Sequence, residues 1–338
     1  MNGKVSLKDV AKHLGVSTAL VSYVINGKEK EARVSEKMVK KIREAVVKLN
    51  YQPNQIAKSL KSGKTNTIGL IVADISNPFF SNIARIIEDE ARKKGYVVVI
   101  GSSDESAEKS QDLLNVFQNR QVDAFIIAPA ENTEQQIVTL QKTGLPVVLI
   151  DRFFPAIEVD SVHIDNFQAA YNAVEHLINN GRRKIGMVAY DTKLSHIQQR
   201  KNGYKAALKA HGIRFKKEFV KEASYERIEE DVAEKVKELL FPELKVDAFF
   251  FATNTLAVES LKVINQSGIK VPEELALIAF DESDAFDFFY SPLSYVSQSL
   301  EDMGKGAVKL VIERIRDNTR DYTNLIIKEK LVLRKSCG

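Results

Sequence analysis

Between residues 67 and 280, short apolar runs alternate with helix-length amphipathic stretches, and no other feature limits the fold so tightly. TIGLIVA at 67–73 is a β-rich run. It is followed by a helical stretch at 81–94, then YVVVIG, then a helical stretch at 109–120. AFIIA, a helical stretch at 134–143 and PVVLID complete a first set. After Ser161 the scheme repeats: helical 166–180, KIGMVAY, helical 198–211 and 228–240, AFFFA, helical 254–267, and ALIAF. Strand–helix alternation with continuous apolar runs predicts parallel sheets covered on both faces. Two such sets predict two similar α/β lobes.

In open parallel sheets, ligands sit outside the carboxyl ends of the strands. The residues that follow the strands are therefore candidates for a cleft between the lobes. They are Asp74, Ser76, Asn77 and Phe79 after the first strand, Ser102 and Ser103 after the second, and Asp151 and Arg152 after the fourth. In the second set they are Asp191, Asn254 and Asp281. Any one of them taken alone is equally explained as a cap or turn.

The first sixty residues follow a different period. Ser6 to Leu14 reads as a helix opened by a Ser6/Asp9 capping pattern, with Leu7, Val10, Ala11 and Leu14 on one face and Gly15 as its stop. Ser17 caps a second helix with an inner stripe of Leu20, Val21, Val24 and Ile25, ended by Asn26-Gly27. A third helix spans about 35–49, with Met38, Ile42, Ala45, Val46 and Leu49 inward. Two short helices joined by a glycine turn and braced by a third make a helix-turn-helix. The outer positions of the second helix, Thr18, Ala19 and Ser22, are small or hydroxylic. After Pro53, NQIAKSLK is a helical pattern of about two turns, which alone is marginal. It fits either a passive linker or a segment that folds on DNA.

Charge is divided in the same way. Residues 1–64 hold 14 Lys+Arg and 5 Asp+Glu, a net +9, and the remainder holds 35 and 40, a net −5. A basic head on an acidic body fits a polyanion partner, and charge alone fits a solvated basic face equally well.

KDVAKHLGVSTALVSYVINGK, followed by VSEKMVKKIREAVVKLNYQPNQIAKSLKSGKTNTIGLIV, resembles the LacI/GalR family of repressors, and the resemblance continues through the whole chain. It implies an α/β body similar to periplasmic sugar-binding proteins behind an all-α headpiece. The implied divisions are a headpiece at 1–52 and a hinge helix with linker at 53–64. An N-terminal lobe would take 65–162 with 292–321, and a C-terminal lobe 163–291 with 322–338. It implies a cytoplasmic homodimer whose recognition helices enter two major-groove half-sites of double-stranded operator DNA. Thr18, Ala19 and Tyr23 fall at base-reading places, and Ser17, Ser22, Asn26 and Arg33 at phosphate-contacting ones. Leu60 matches the hinge leucine that wedges between base pairs, a move that unstacks and bends the duplex. Asn54 and Lys61 flank it in the same DNA-contacting segment. Tyr23 stands where the family commonly has Arg, and the loop GKEKEA is longer than in the lactose repressor.

The resemblance also selects among the strand-end residues. SNPFF, with Ser76, Asn77 and Phe79, matches a loop that presents an aromatic ring to the ligand. Arg200, in RKNG, matches a ligand-clamping R-x-x-G. Asp151-Arg152, Asn254 and Asp281 match ligand-binding positions, and Gln298 lies on a crossover segment. Thr255 replaces a common Asp. Paired hydrogen-bonding groups beside an aromatic platform suit a polyhydroxylated small-molecule effector, a carbohydrate. Lobe crossings are expected near Ser161, Ser291 and Tyr322, and LVLRKSCG carries no heptad pattern, in keeping with a dimer.

Rival classes fit less well. Gly63-Lys64-Thr65 resembles the end of a P-loop, but Lys58 stands where the first glycine is required. No dinucleotide fingerprint, nucleophile elbow or metal-binding His pair appears, so neither an enzyme nor a cofactor nor a metal is expected. Cys337, the single cysteine, reads as a free thiol. A periplasmic receptor would need a signal peptide where this chain has a basic head.

Overall fold

The computed structural model describes residues 5–52, 63–240 and 244–338. The expected hinge helix, with Asn54, Leu60 and Lys61, lies outside them. The chain divides into two compact units between Thr65 and Asn66.

In the first unit, α1 (Leu7–Leu14), α2 (Thr18–Ile25) and α3 (Glu36–Lys48) pack around Val10, Ala11, Val21, Val24, Ile42 and Ala45. Both halves of the Ser6/Asp9 capping box form. Gly15 takes φ 65°, the left-handed turn that redirects the chain toward α2. Ser17 Oγ accepts from Leu20 N–H at 3.2 Å, closing the start of α2. At its end the Asn26 amide donates to Ser22 O at 2.7 Å. The loop beyond is held by an Arg43–Glu29 pair at 2.9 Å, and it carries Arg33 at φ 49°.

The second unit contains two six-stranded sheets among the described residues. The first has the order β11-β5-β4-β3-β1-β2, all parallel. Its strands are β1 (Thr67–Val72), β2 (Val97–Ser102), β3 (Ala124–Ile127), β4 (Val147–Ile150), β5 (Asp160–Ile164) and β11 (Asn324–Ile327). The second has the order β12-β10-β9-β8-β6-β7, parallel except for β12. It is built from β6 (Ile185–Tyr190), β7 (Val220–Ala223), β8 (Ala248–Phe251), β9 (Ala276–Phe280), β10 (Ser294–Gln298) and β12 (Glu329–Val332). Flanking helices include α4 (Pro78–Lys93), α5 (Ala107–Asn119), α6 (Glu134–Lys142), α7 (Asn166–Asn179), α8 (Ser195–Ala210), α9 (Ile228–Leu240) and α10 (Asn254–Ser267). After the short α11 (Ala285–Phe288) comes α12 (Leu300–Arg316).

The lobe crossings fall later than the sequence indicates. Ser294–Gln298 hydrogen-bonds into the second sheet, so residues 292–298 do not belong with the first lobe. Asn324–Ile327 pairs with β5 in the first sheet, so the second lobe resumes only at β12. Crossing therefore takes place between β5 and α7, between β10 and α12, and between β11 and β12. Strands β7, β11 and β12 escaped the sequence reading because they are half-exposed edges without a continuous apolar run.

β5 escaped for another reason. It buries Asp160, Ser161 and His163. Asp160 is fully enclosed and accepts from Arg314 Nε at 2.9 Å, Arg320 Nη2 at 2.8 Å and Thr323 N–H at 2.8 Å. This cluster fastens the end of α12 and the segment leading into β11 to the first sheet. Removing one partner of a buried ion pair leaves an uncompensated charge and costs about 3–5 kcal/mol. Asp160→Asn is expected to lower unfolding stability by about that amount, read as a shifted urea midpoint. A midpoint within error of the parent would show that the cluster contributes nothing net.

Candidate effector cavity and DNA-reading helix

The carboxyl ends of both parallel sheets converge on one cavity of about 150 Å³. At roughly 10–15 Å³ of such space per water-sized group, it has room for on the order of ten non-hydrogen atoms. Asn77, Phe79, Asp151 and Arg152 enter its wall from the first lobe, and Arg200, Asn254 and Asp281 from the second.

Asp151 and Asp281 occupy equivalent places. Each follows a central strand, β4 or β9, and each has φ 67°. Asp151 N–H bonds Val162 O at 2.8 Å, and Asp281 N–H bonds Val296 O at 2.9 Å, so each takes its last ladder bond from the adjacent strand. Left-handed backbone is unfavourable for most non-glycine residues but tolerated by Asp. In both places it turns a carboxyl into the cleft. Burial pushes the Asp151 carboxyl up to about 6, against the pull of Arg152 and Arg200. Burial also raises Asp281, opposed by Arg200 and by the Gln298 amide.

Arg200 projects from α8 and is 1% exposed. Its Nε donates to Asn166 Oδ1 at 2.8 Å and its Nη1 to Ala252 O at 2.6 Å. The guanidinium lies 3.5 Å over the Phe280 ring, and Asp281 Oδ2 is 3.7 Å from Nη1. Gly203, one turn on, explains the R-x-x-G spacing. A Cβ there would stand 2.3 Å from Phe167 O, so only glycine lets α8 lie this close to α7 and bring Arg200 to Asn166. Arg152 is 5% exposed and forms a two-pronged pair with Glu105 at 2.6 and 2.7 Å. Burial opposes its charge, but the Glu105 carboxylate outweighs burial and raises its pKa.

Two expected residues stand apart. Ser76 is exposed and does not line the cavity: its N–H and hydroxyl both donate to Asp74 Oδ1, at 2.8 and 2.7 Å, and Asp74 takes the place in the wall. Gln298 touches this cavity only through Asp281, to which its amide donates at 2.5 Å. It borders a neighbouring cavity that shares Phe79 and Asp281.

Other wall residues were not singled out from sequence. His196 precedes Arg200 by one helical turn, so the i,i+4 spacing was a signal available in the sequence. Burial, reinforced by Arg152 and Arg200, holds its imidazole well below the ordinary range and so neutral. Tyr225 follows the unrecognised edge strand β7 and stacks on Tyr190 at 3.9 Å. Glu105 lies just beyond Ser102 and Ser103, the two residues expected to follow the second strand. Across the mouth, Asn77 Nδ2 reaches Thr255 Oγ1 and Asn254 Nδ2 reaches Asn77 Oδ1, both at 3.4 Å. On another side Thr192 Oγ1 donates to Glu131 at 2.5 Å, and Leu194 is buried in the first lobe's cluster with Leu149 and Phe154.

In the first unit Thr18, Ala19, Tyr23 and Asn26 are exposed along α2 or at its end, while Ser22 is half-buried. Tyr23 is 45% exposed. Ser17 and Arg33 are exposed beside them. Asn54, Leu60 and Lys61 remain outside the described residues.

A helix-turn-helix unit joined to a two-lobed body with a polar cavity defines a ligand-responsive DNA-binding regulator. Residues 6–54 match the family model of bacterial regulatory proteins of the lacI family, and residues 65–335 that of periplasmic binding proteins and the sugar-binding domain of the LacI family. The chain belongs to the LacI family. It is 31% identical to a ribose operon repressor of Haemophilus influenzae, with 98% of each chain covered. It is 33% identical to catabolite control protein A of Priestia megaterium, over 98% of this chain and 99% of that one. A solved LacI family regulator from Enterococcus faecium with bound ribose matches with a TM-score of 0.71 and 26% identity, covering 80% of this chain and 98% of that one.

Gly203→Ala tests the packing behind Arg200. The methyl must force α7 and α8 apart, at on the order of 1–3 kcal/mol, against about 1 kcal/mol gained in helix propensity. The variant is expected to melt below the parent; a higher melting temperature would show that α8 has room to spare.

Proposed function

We propose that this chain is a cytoplasmic, homodimeric transcriptional repressor whose operator affinity is set by a sugar held between the two lobes, and that it is not an enzyme. The observation that carries the effector half is the cavity. It joins Phe79 to buried carboxyl, guanidinium and amide groups from both lobes, in a space of monosaccharide size. Planar, charge-assisted donors and acceptors beside an aromatic ring are what a polyol needs. The relative from Enterococcus faecium holds a sugar of that size. Because the wall comes from both lobes, a bound sugar favours one lobe arrangement, and operator affinity and sugar affinity must then change by the same factor.

On the DNA side, the small exposed residues of α2 permit close approach to base edges, with Thr18, Ala19 and Tyr23 reading and Ser17, Ser22, Asn26 and Arg33 holding phosphates. Residues 53–64 form the hinge, with Asn54, Leu60 and Lys61 against the DNA. Selection of random duplexes by the full chain should enrich a palindrome. Binding without enrichment, with and without sugar, would remove the repressor reading. Tyr23→Ala is expected to lose about 1–3 kcal/mol of discrimination at one base position of each half-site, with the salt dependence of binding unchanged. An equal loss on every sequence would place Tyr23 against phosphate instead.

The sugar's hydroxyls donate to the ionised form of Asp151, whose carboxyl lies at about 6. Binding therefore draws this pKa down, and below about pH 6, where the free carboxyl is protonated, it releases a proton. Affinity is full above about pH 6 and falls as pH drops through it, by up to about tenfold per unit well below. Asp281, also raised, acts in the same direction, while His196 stays neutral. Calorimetric titration at pH 7.5, 6 and 5 reads this directly. A flat profile would take the Asp151 carboxylate out of recognition.

A further inference from the structure

The charge balance of the cavity restricts its ligand further than size does. Four carboxylates line it (Asp74, Glu105, Asp151 and Asp281) against two guanidiniums (Arg152 and Arg200), a formal net of −2. Protonating Asp151 leaves −1. His196 contributes no positive charge.

Most of the groups that ordinarily bind anions are already engaged, although Arg152 Nε has no hydrogen-bond partner and Arg200 keeps Nη2. Both terminal nitrogens of Arg152 are taken by Glu105. Arg200 gives Nε to Asn166 and Nη1 to Ala252 O. A helix N-terminus is the other common anion site, and α4, α8, α9 and α10 all begin at this cavity. In α4, Pro78 has no N–H and Asn77 Oδ1 accepts from Phe79 N–H at 3.0 Å. In α10, Asn254 Oδ1 accepts from Thr255 N–H at 2.8 Å and Thr253 Oγ1 from Leu256 N–H at 3.3 Å. These two termini are closed by their own side chains, whereas α8 has no side-chain cap.

Glu105 is held in place at a cost. It and Asp104 both take left-handed backbone, at φ 57° and 48°, a conformation that persists only where surrounding contacts enforce it. The two-pronged pair with Arg152 is one such contact, beside Glu105 N–H to Ala73 O at 3.1 Å and the bonds of Ser102 and Lys109 to Asp104.

We propose that the effector is a neutral, unphosphorylated sugar, and that Glu105 enforces this by occupying the guanidinium fork that would otherwise clamp an anionic group. Glu105 acts through Arg152 and is a positioning residue for specificity. The inference rests on the cavity being the sugar site.

The test is titration of the full chain with matched pairs: ribose and ribose 5-phosphate, glucose and glucose 6-phosphate, galactose and galacturonate. The neutral member of at least one pair binds, and its anionic partner binds at least about a hundredfold more weakly. In Glu105→Gln the fork is released and that ratio shrinks at least about tenfold. Glu105→Asp keeps the charge but shortens the reach, shrinks the ratio by less, and serves where the Gln variant does not fold. An anionic sugar that binds the parent as tightly as its neutral partner overturns the proposal. So does a ratio that neither variant moves while neutral binding survives. If no sugar of either kind binds, the sugar reading itself fails, and this inference falls with it.

Discussion

The buried pairing of Arg200 and Arg152 with the carboxyl groups around them is the constraint on which the rest of the body depends. Charges this far from water are tolerated only with partners, and each arginine draws its partners from several chain segments. Arg200 needs Asn166 at the start of α7, Ala252 after β8 and the Phe280 ring at the end of β9. Those three points can meet only if the strands run parallel and end together. Gly203 is the steric consequence, because the guanidinium reaches Asn166 only when α8 lies against α7. The left-handed turns at Asp151 and Asp281 are the backbone consequence on each sheet.

Much of this was legible in the sequence, and what was missed shares a physical character. Six interior strands, β1, β3, β4, β6, β8 and β9, are largely apolar runs because they are covered on both faces, so their pattern is visible without context. Edge strands half in solvent, such as β11 and β12, have no such run. β5 is buried throughout yet polar, since Asp160 is stabilised by arginines about 150 residues away in sequence. A local pattern cannot register a partner so distant. The late crossings have the same origin: β10, with two serines and a glutamine, carries too little apolar signal to be placed in either sheet.

The cavity divides along similar lines. Asp151, Arg152, Asn254 and Asp281 follow strands that were recognised, so the rule about carboxyl ends located them. Tyr225 follows a strand that was not recognised, and Glu105 lies past a loop whose backbone reverses twice into left-handed geometry. Ser76 shows the opposite error. Its position in the loop was right, but a two-residue spacing to Asp74 lets it satisfy both of its donors locally, outside the cavity.

The lobes meet on two flanks of the cavity by different chemistry, and this bears on how binding at the cavity would be transmitted. The Asn77–Asn254–Thr255 contacts are long, at 3.4 Å, and neutral, and a ligand can replace them with little loss. The other contact buries Leu194 of one lobe in a cluster with Leu149 and Phe154 of the other, beside a short Thr192–Glu131 bond. Apolar burial is worth about 25 cal/mol per Å² and resists separation, while the Thr192–Glu131 bond and the Ser195 Oγ to Phe153 O bond at 2.7 Å also fix direction there. Three crossing segments restrain the same motion. A ligand that engages Asp151 and Asp281 together would act on lobes already joined there, and only a difference in its contacts between two lobe arrangements could favour one of them.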